Sequence, residues 1–337
     1  MKAIGYKVSG PIDREDALQD ITLEKPMPEG RDLLVKINAV SVNPADTKVR
    51  AGMSPEGSEW RVLGFDAAGI VDAVGPDVQN FKPGDAVFYA GAIDRPGTNS
   101  EYHLVDERIV GRKPSSLTDP ASAALPLTAI TAWEMLFDRL DVNCPTPEGS
   151  NIILVIGGAG GVGSITIQLL RALTDLTVIA TASRPETQDW VRECGAHHVI
   201  NHRQPMAPQV HALGLGAPGF VFSTTHTDRH LPDIVELIAP QGRFGLIDDP
   251  EDLDAKALKT KAVSLHWEFM FARSLFKTSD IEEQGKLLNE VADLVDAGRI
   301  RSTATEVAGK IDAATLRAVH AQIEKGSARG KIVLEGF

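Results

Sequence analysis

The residues best suited to chemistry lie in ILVIGGAGGVGSITIQLLR, where an apolar run enters Gly157, Gly158, Ala159, Gly160, Gly161, Val162 and Gly163 and a helical pattern opens at once. A turn this rich in glycine lets the backbone approach a pyrophosphate, and the helix behind it offers unpaired N–H groups and the positive end of its dipole. A P-loop is excluded because no Gly-Lys-Ser/Thr follows. A glycine-rich turn without a ligand is the plainer alternative.

The next strand decides the cofactor. A free ribose 2′-hydroxyl usually meets an Asp or Glu about 20 residues beyond the glycines. Here TVIATA (177 to 182) runs into Ser183 and Arg184, with no acid until Glu186. A hydroxyl and a guanidinium suit a 2′-phosphate, which a carboxylate would repel. The expectation is therefore NADP(H), with His202 as a further donor; a solvated Arg184 and an exposed loop histidine are the alternatives.

These groups need a scaffold. Up to about residue 120, short β-rich runs such as LLVKINAVSV (33 to 42), GIVDAVG (69 to 75) and DAVFYAG (85 to 91) predict a barrel-like antiparallel unit. A helix is expected to start at Asp119-Pro120 and continue through the small apolar residues that follow. From NIILVI (151 to 156) to RFGLI (243 to 247), strands and helices alternate, which predicts a parallel sheet covered by helices on both faces. After about 264 the alternation stops; helices over 281 to 300 and AATLRAVHAQIEKG and a strand at KIVLEGF are expected. An α/β chain follows, divided as 1–122, 123–264 and 265–337, the last part returning to the first; an independent helical tail is the alternative.

Composition narrows the function. The 337 residues carry a formal net charge of -12, which leaves no basic excess to neutralise nucleic-acid or membrane phosphates. Two cysteines, Cys144 and Cys194, are too few for a disulfide framework and fit a reducing compartment. MKAIGYKVSG lacks an apolar signal core, and no window approaches the roughly 18 apolar residues of a membrane helix. A cytoplasmic enzyme acting on a small molecule is expected.

Taken together, SVNPADTKVRAG, VLGFDAAGIVDAVG, FKPGDAVFYAG, ALPLTAITAWEML, IGGAGGVGS, TASRPET, GAHHVI, HWEFMF and GKIVL resemble the quinone oxidoreductase branch of the medium-chain dehydrogenases/reductases, among the zinc-binding alcohol dehydrogenase-like proteins. The resemblance implies a GroES-like β-barrel catalytic domain interrupted by a Rossmann domain, NADPH between them, and a homodimer. It also implies zinc-free chemistry. Where the zinc enzymes carry Cys and His, this chain has Asn43 and Phe65, neither a competent ligand. Cys194, His197, His198 and His202 are superficially metal-like, but the Rossmann reading scatters their side chains.

Without a Lewis acid, a conjugated acceptor is easier to reduce than a simple ketone, because hydride addition leaves charge delocalised onto an oxygen that hydrogen-bond donors stabilise. A quinone, enone or 2-alkenal is the expected substrate; a zinc alcohol dehydrogenase and a non-catalytic, crystallin-like NADPH-binding protein are the rivals. Lys48, in the loop that the resemblance assigns to the cleft, is the candidate donor, against a surface or ion-paired lysine. Asn43 is expected to position nicotinamide or ribose. Phe65, Tyr89, Trp133, Trp267 and Phe269 are candidate pocket walls, or plain core. Thr128, Ser223, Ile247 and Lys331 complete the candidate cofactor contacts.

Overall fold

A computed structural model describes residues 1–55, 57 and 59–337. The chain divides into one unit of Met1–Ile130 with Phe271–Phe337 and a second of Thr131–Met270.

The first unit is built on the strand Asp32–Ser41, whose burial alternates around exposed Lys36 as a strand with one covered face requires. Asp66–Val74 pairs along one side of it with two register shifts, which curl the sheet. Gly69 sits at that crossing, where a Cβ would lie 2.2 Å from the Lys36 carbonyl oxygen, so only glycine fits. The other side is shared. Tyr102–Asp106 takes the first half of the long strand, and Lys331–Glu335, from the far end of the chain, takes the second. The C-terminal segment is thus part of the first unit and not an independent helical tail.

One expected loop is a helix. Pro44–Gly52 is helical because Pro44 presets φ without needing a donor, while the Asp46 carboxylate accepts the Asn43 N–H at 2.8 Å. The helix expected from Asp119 is also broken up, into Asp119–Ala123, Pro126–Trp133 and the wider π-turns of Glu134–Arg139. Pro126 has no N–H to continue the first piece. In the last piece the Leu140 N–H reaches back five residues to the Met135 carbonyl.

The second unit is a six-stranded sheet in which every neighbour is parallel: His198–Ile200, Thr177–Thr181, Ser150–Ile156, Pro218–Ser223, Arg243–Leu246 and Ser264–Trp267, in that spatial order. The first strand in sequence is central and the order reverses beside it, giving a doubly wound sheet with its switch point at the glycine turn. Ile152, Leu154, Ile156, Val221, Phe244 and Leu246 are buried among the covering helices.

The domain runs one strand beyond the boundary expected at 264. Ser264–Trp267 pairs with Arg243–Leu246 after a 3-10 turn, Ala255–Lys261, instead of the amphipathic helix that marks the other crossovers. At the front, residues 123–130 stay with the first unit, because the Leu127 N–H donates to Asp66 at 2.7 Å and Thr303 Oγ1 donates to the Ala124 carbonyl at 3.2 Å.

Candidate active site

In the second unit the strand Ser150–Ile156 leaves the sheet at Gly157, whose φ of +83° suits glycine, and the 13-residue helix Gly161–Leu173 begins four residues later. Gly160 is its N-cap and supplies no side-chain acceptor to the first N–H groups. At Gly163 a Cβ would come within 2.3 Å of the Gly157 carbonyl oxygen, so the helix can start this close to the turn only with glycine there.

The end of the next strand is tied to the same turn. Gly157 N–H donates to Thr181 Oγ1 at 3.0 Å, and Gly158 N–H donates to the Thr181 carbonyl at 3.0 Å. Thr181 was not among the expected site residues; its position as the last residue of a strand was the only available signal. Beyond it, Ser183 is half-buried and Arg184 forms the N-cap of Pro185–Glu193. The Arg184 guanidinium pairs with Glu186 at 2.8 Å. His202 Nδ1 lies 3.0 Å from Thr181 Oγ1, and burial pushes this imidazole down to about 4, so it is neutral at pH 7.

Ser223, whose hydroxyl lies 2.8 Å from Thr227 Oγ1, ends the strand Pro218–Ser223, and half-buried Ile247 follows Arg243–Leu246. Because the sheet is parallel, the Gly158–Gly163 turn, Ser183, Arg184, His202, Ser223 and Ile247 all gather at its carboxyl edge.

The first unit holds a buried polar network. Asp66 Oδ2 accepts from Ser41 Oγ at 2.7 Å, Asn43 Nδ2 at 2.8 Å and Lys331 Nζ at 3.2 Å, while Oδ1 accepts the Leu127 N–H. Lys331 Nζ also donates to Asn43 Oδ1 and to the Val42 carbonyl. Asp46 accepts from Gly64 N–H at 3.1 Å as well as from Asn43, and burial pushes its carboxyl up to about 7 despite both bonds. Burial lowers the Lys331 ammonium, against the pull of Asp66 and Asp46. Asn43 and Lys331, both expected at the cofactor, therefore have their polar atoms engaged inside the first unit. Thr128 is buried there too, its hydroxyl donating to the Leu125 carbonyl at 3.0 Å.

Lys48 is exposed on the helix Pro44–Gly52. Tyr89, expected as a pocket wall, is core: it is wholly buried, as are its neighbours Phe88 and Ala90 on Ala86–Ala90, and its hydroxyl lies 3.0 Å from His103 Nδ1. Burial moves that hydroxyl well above, and His103 down to about 4, so both stay neutral. Phe65 is buried against Phe271, with ring centroids 4.7 Å apart. The second unit holds half-buried Trp133, packed on Phe137, and the exposed Trp267 and Phe269.

The metal-like cluster is dispersed. Cys194 ends a helix, His197 accepts the Val178 N–H and meets Arg171, and His202 turns to Thr181. Among the described residues no group of three or more His, Cys, Asp or Glu is arranged to hold a metal ion.

The alcohol dehydrogenase GroES-like domain family matches residues 29–115, and the zinc-binding dehydrogenase family matches residues 194–334. The zinc-type alcohol dehydrogenase-like protein SAS2087 of Staphylococcus aureus (strain MSSA476) is 39% identical over 336 residues, covering 99% of each chain. This chain belongs to the medium-chain dehydrogenase/reductase superfamily, among the zinc-type alcohol dehydrogenase-like proteins.

A solved structure from Rhizobium etli CFN 42, named for a zinc-dependent alcohol dehydrogenase, superposes on this dehydrogenase/reductase with a TM-score of 0.99 at 62% identity, covering 100% of this chain and 98% of that one. The Escherichia coli quinone oxidoreductase, solved complexed with NADPH, shares the fold with a TM-score of 0.83 at 22% identity, covering 100% of both chains. At the level of the superfamily the protein is an NAD(P)-dependent oxidoreductase.

The nucleotide suits the second unit, where an uncapped helix start and a glycine-lined approach face the strand end bearing Ser183 and Arg184. Zinc does not suit the network of the first unit. An amide and a phenyl ring stand where a thiolate and an imidazole are needed, and both oxygens of Asp66 are taken by hydrogen-bond donors, one of them an ammonium.

Proposed function

We propose that this dehydrogenase/reductase works without zinc and uses NADPH to reduce a quinone or the activated double bond of an enone or 2-alkenal. The observation that carries the reading is the Asn43–Asp66–Lys331 network, which supplies neither the ligands nor the open position of a catalytic metal. Without a Lewis acid, the favoured substrates are those whose reduction spreads the developing charge over a conjugated system.

When bound, NADPH supplies the hydride. The chain supplies position and charge: the glycine turn and the start of Gly161–Leu173 take the pyrophosphate, and Ser183 with Arg184 take the 2′-phosphate. Ile247 and Ser223 line the same carboxyl edge. Lys48 is assigned to the acceptor oxygen, where an ammonium stabilises charge that develops only in the transition state. Asn43, its amide held by Asp66 and Lys331, starts the helix that carries Lys48.

The same reading makes the protein a cytoplasmic homodimer. Among the described residues, Ser264–Trp267 is an edge strand paired only with Arg243–Leu246, and pairing with a second copy would remove that edge. A monomer in sedimentation at micromolar concentration refutes the assembly. The activity is tested by NADPH oxidation against a panel of quinones, enones, 2-alkenals and simple ketones. Turnover confined to the ketones, or binding without turnover on any acceptor, overturns the reading.

A further inference from the structure

Three histidines collect beyond the carboxyl ends of the parallel strands. His202 follows His198–Ile200, and His226 and His230 belong to the start of the helix Thr227–Leu237, where His226 is the left-handed N-cap residue with φ 51°. The rings of His202 and His230 meet edge-on with centroids 6.0 Å apart. The loop before the helix also reaches the glycine turn, since a Cβ on Gly157 would come within 2.3 Å of Thr224 Oγ1.

Thr181 connects this cluster to the turn. Its hydroxyl oxygen accepts the Gly157 N–H, so its own proton can go to His202 Nδ1, 3.0 Å away. In that arrangement the neutral imidazole carries its proton on Nε2, and Thr181 orients the ring from the same strand end that leads into Ser183 and Arg184.

The charged neighbours come from every side. Arg203 lies beside His202, while Asp228, Arg229 and Asp233 surround His230, and His226 acts on both. The Asp233 carboxylate is already committed to the N–H groups of Met206 and Ala207, each at 3.1 Å. Arg184 is paired with Glu186. Burial, reinforced by each imidazole's cationic neighbours, keeps His202 near 4 and His230 below its ordinary value. The free protein therefore holds His202 and His230 largely uncharged.

The geometry points to His202 and His230 as a pair that selects a phosphorylated nucleotide, binding the 2′-phosphate dianion at the Thr181–Ser183–Arg184 strand end together with one proton taken from solvent onto the pair. The inference rests on the NADPH reading and goes beyond it. It makes His230 a specificity-determining residue and makes affinity for the 2′-phosphate rise as pH falls. A dianion favours the imidazolium, and a ligand without that phosphate gives the pair no reason to protonate.

Calorimetric binding of 2′,5′-ADP and of 5′-AMP between pH 8.5 and pH 6.5 tests it, because a phosphate monoester stays mostly dianionic above its second ionisation near pH 6. One linked proton allows at most about tenfold per pH unit. The dissociation constant of 2′,5′-ADP is expected to fall about five- to thirtyfold over this range, with net proton uptake in buffers of different ionisation enthalpy, while that of 5′-AMP changes less than about twofold. His230→Gln and His202→Gln should each flatten the 2′,5′-ADP profile, and His230→Gln should leave 5′-AMP binding, which also reports the fold, unchanged. Tight but pH-independent 2′,5′-ADP binding overturns the proton-coupled pair and leaves the NADPH reading standing. A full pH dependence in His230→Gln overturns the role of His230. Equal affinity for the two probes removes the NADPH reading itself.

Discussion

Lys331 Nζ lies 3.2 Å from Asp66 Oδ2 across 265 residues of chain, and both side chains are almost wholly buried. The pair joins the last strand to the second strand of the central barrel sheet. Removing one partner strands a buried charge, which typically costs about 3–5 kcal/mol. Lys331→Met is therefore expected to lower the unfolding free energy by about that amount in urea. Adding Asp66→Asn to it should restore part of the loss, since the uncompensated charge is gone. A single variant within about 0.5 kcal/mol of wild type would show that the pair contributes little.

The proposed use of NADPH makes Arg184 the cofactor-selecting cation of the second unit, where its guanidinium pairs with Glu186. Arg184→Ala should weaken NADPH binding about ten- to a hundredfold and leave NADH nearly unchanged. The ion pair is partly exposed and worth little, so Glu186→Gln should strengthen NADPH binding by no more than about fivefold. Equal wild-type affinity for the two cofactors contradicts both expectations.

Metal content checks the barrel network directly. The purified protein is expected to hold substoichiometric zinc and to keep its turnover in EDTA. Activity that disappears in chelator and returns with zinc places a ligand set outside Asn43, Phe65 and Asp66.

Lys48 is exposed on its helix, so replacing it perturbs packing little. Lys48→Met is expected to reduce turnover with a quinone or enone about ten- to a thousandfold, with NADPH affinity and melting temperature near wild type. Unchanged turnover makes water or a backbone group the donor, whereas a large drop in melting temperature makes the lysine structural.

His320 is fully buried on Ala313–Glu324 with neither ring nitrogen hydrogen-bonded among the described residues, and burial, aided by the Arg50 charge, pushes it down to about 3. A depressed folded value means that the unfolded chain takes the proton first. The neutral ring's share of stability is present above the unfolded value near 6.5 and is lost as pH falls toward 3. His320→Leu should remove that sensitivity. Between pH 7 and pH 5 the variant is expected to lose about 2 kcal/mol less unfolding free energy than wild type in urea titrations. Parallel losses in the two proteins would assign the acid sensitivity elsewhere, for instance to buried His103.

The local sequence determined the nucleotide turn. An apolar strand, a run of glycines and a helix start are contiguous from 150 to 173, and close backbone approach is a property of glycine itself. The alternation that predicted a parallel sheet was equally local. So were the signals for Pro44–Gly52, in Asn43, Pro44 and Asp46, although the sequence reading took that stretch for a loop.

Tertiary structure decided what no window could contain. Whether Tyr89 lined a pocket or filled the core depended on the packing around its strand, which buries Phe88 and Tyr89 alike although they point to opposite faces. Thr181 meets His202 because parallel strands bring their carboxyl ends together, and Lys331 meets Asp66 because the last strand returns to the first sheet. Side-chain chemistry is written residue by residue, whereas its partners are set by strand register and chain return, which only the folded chain specifies.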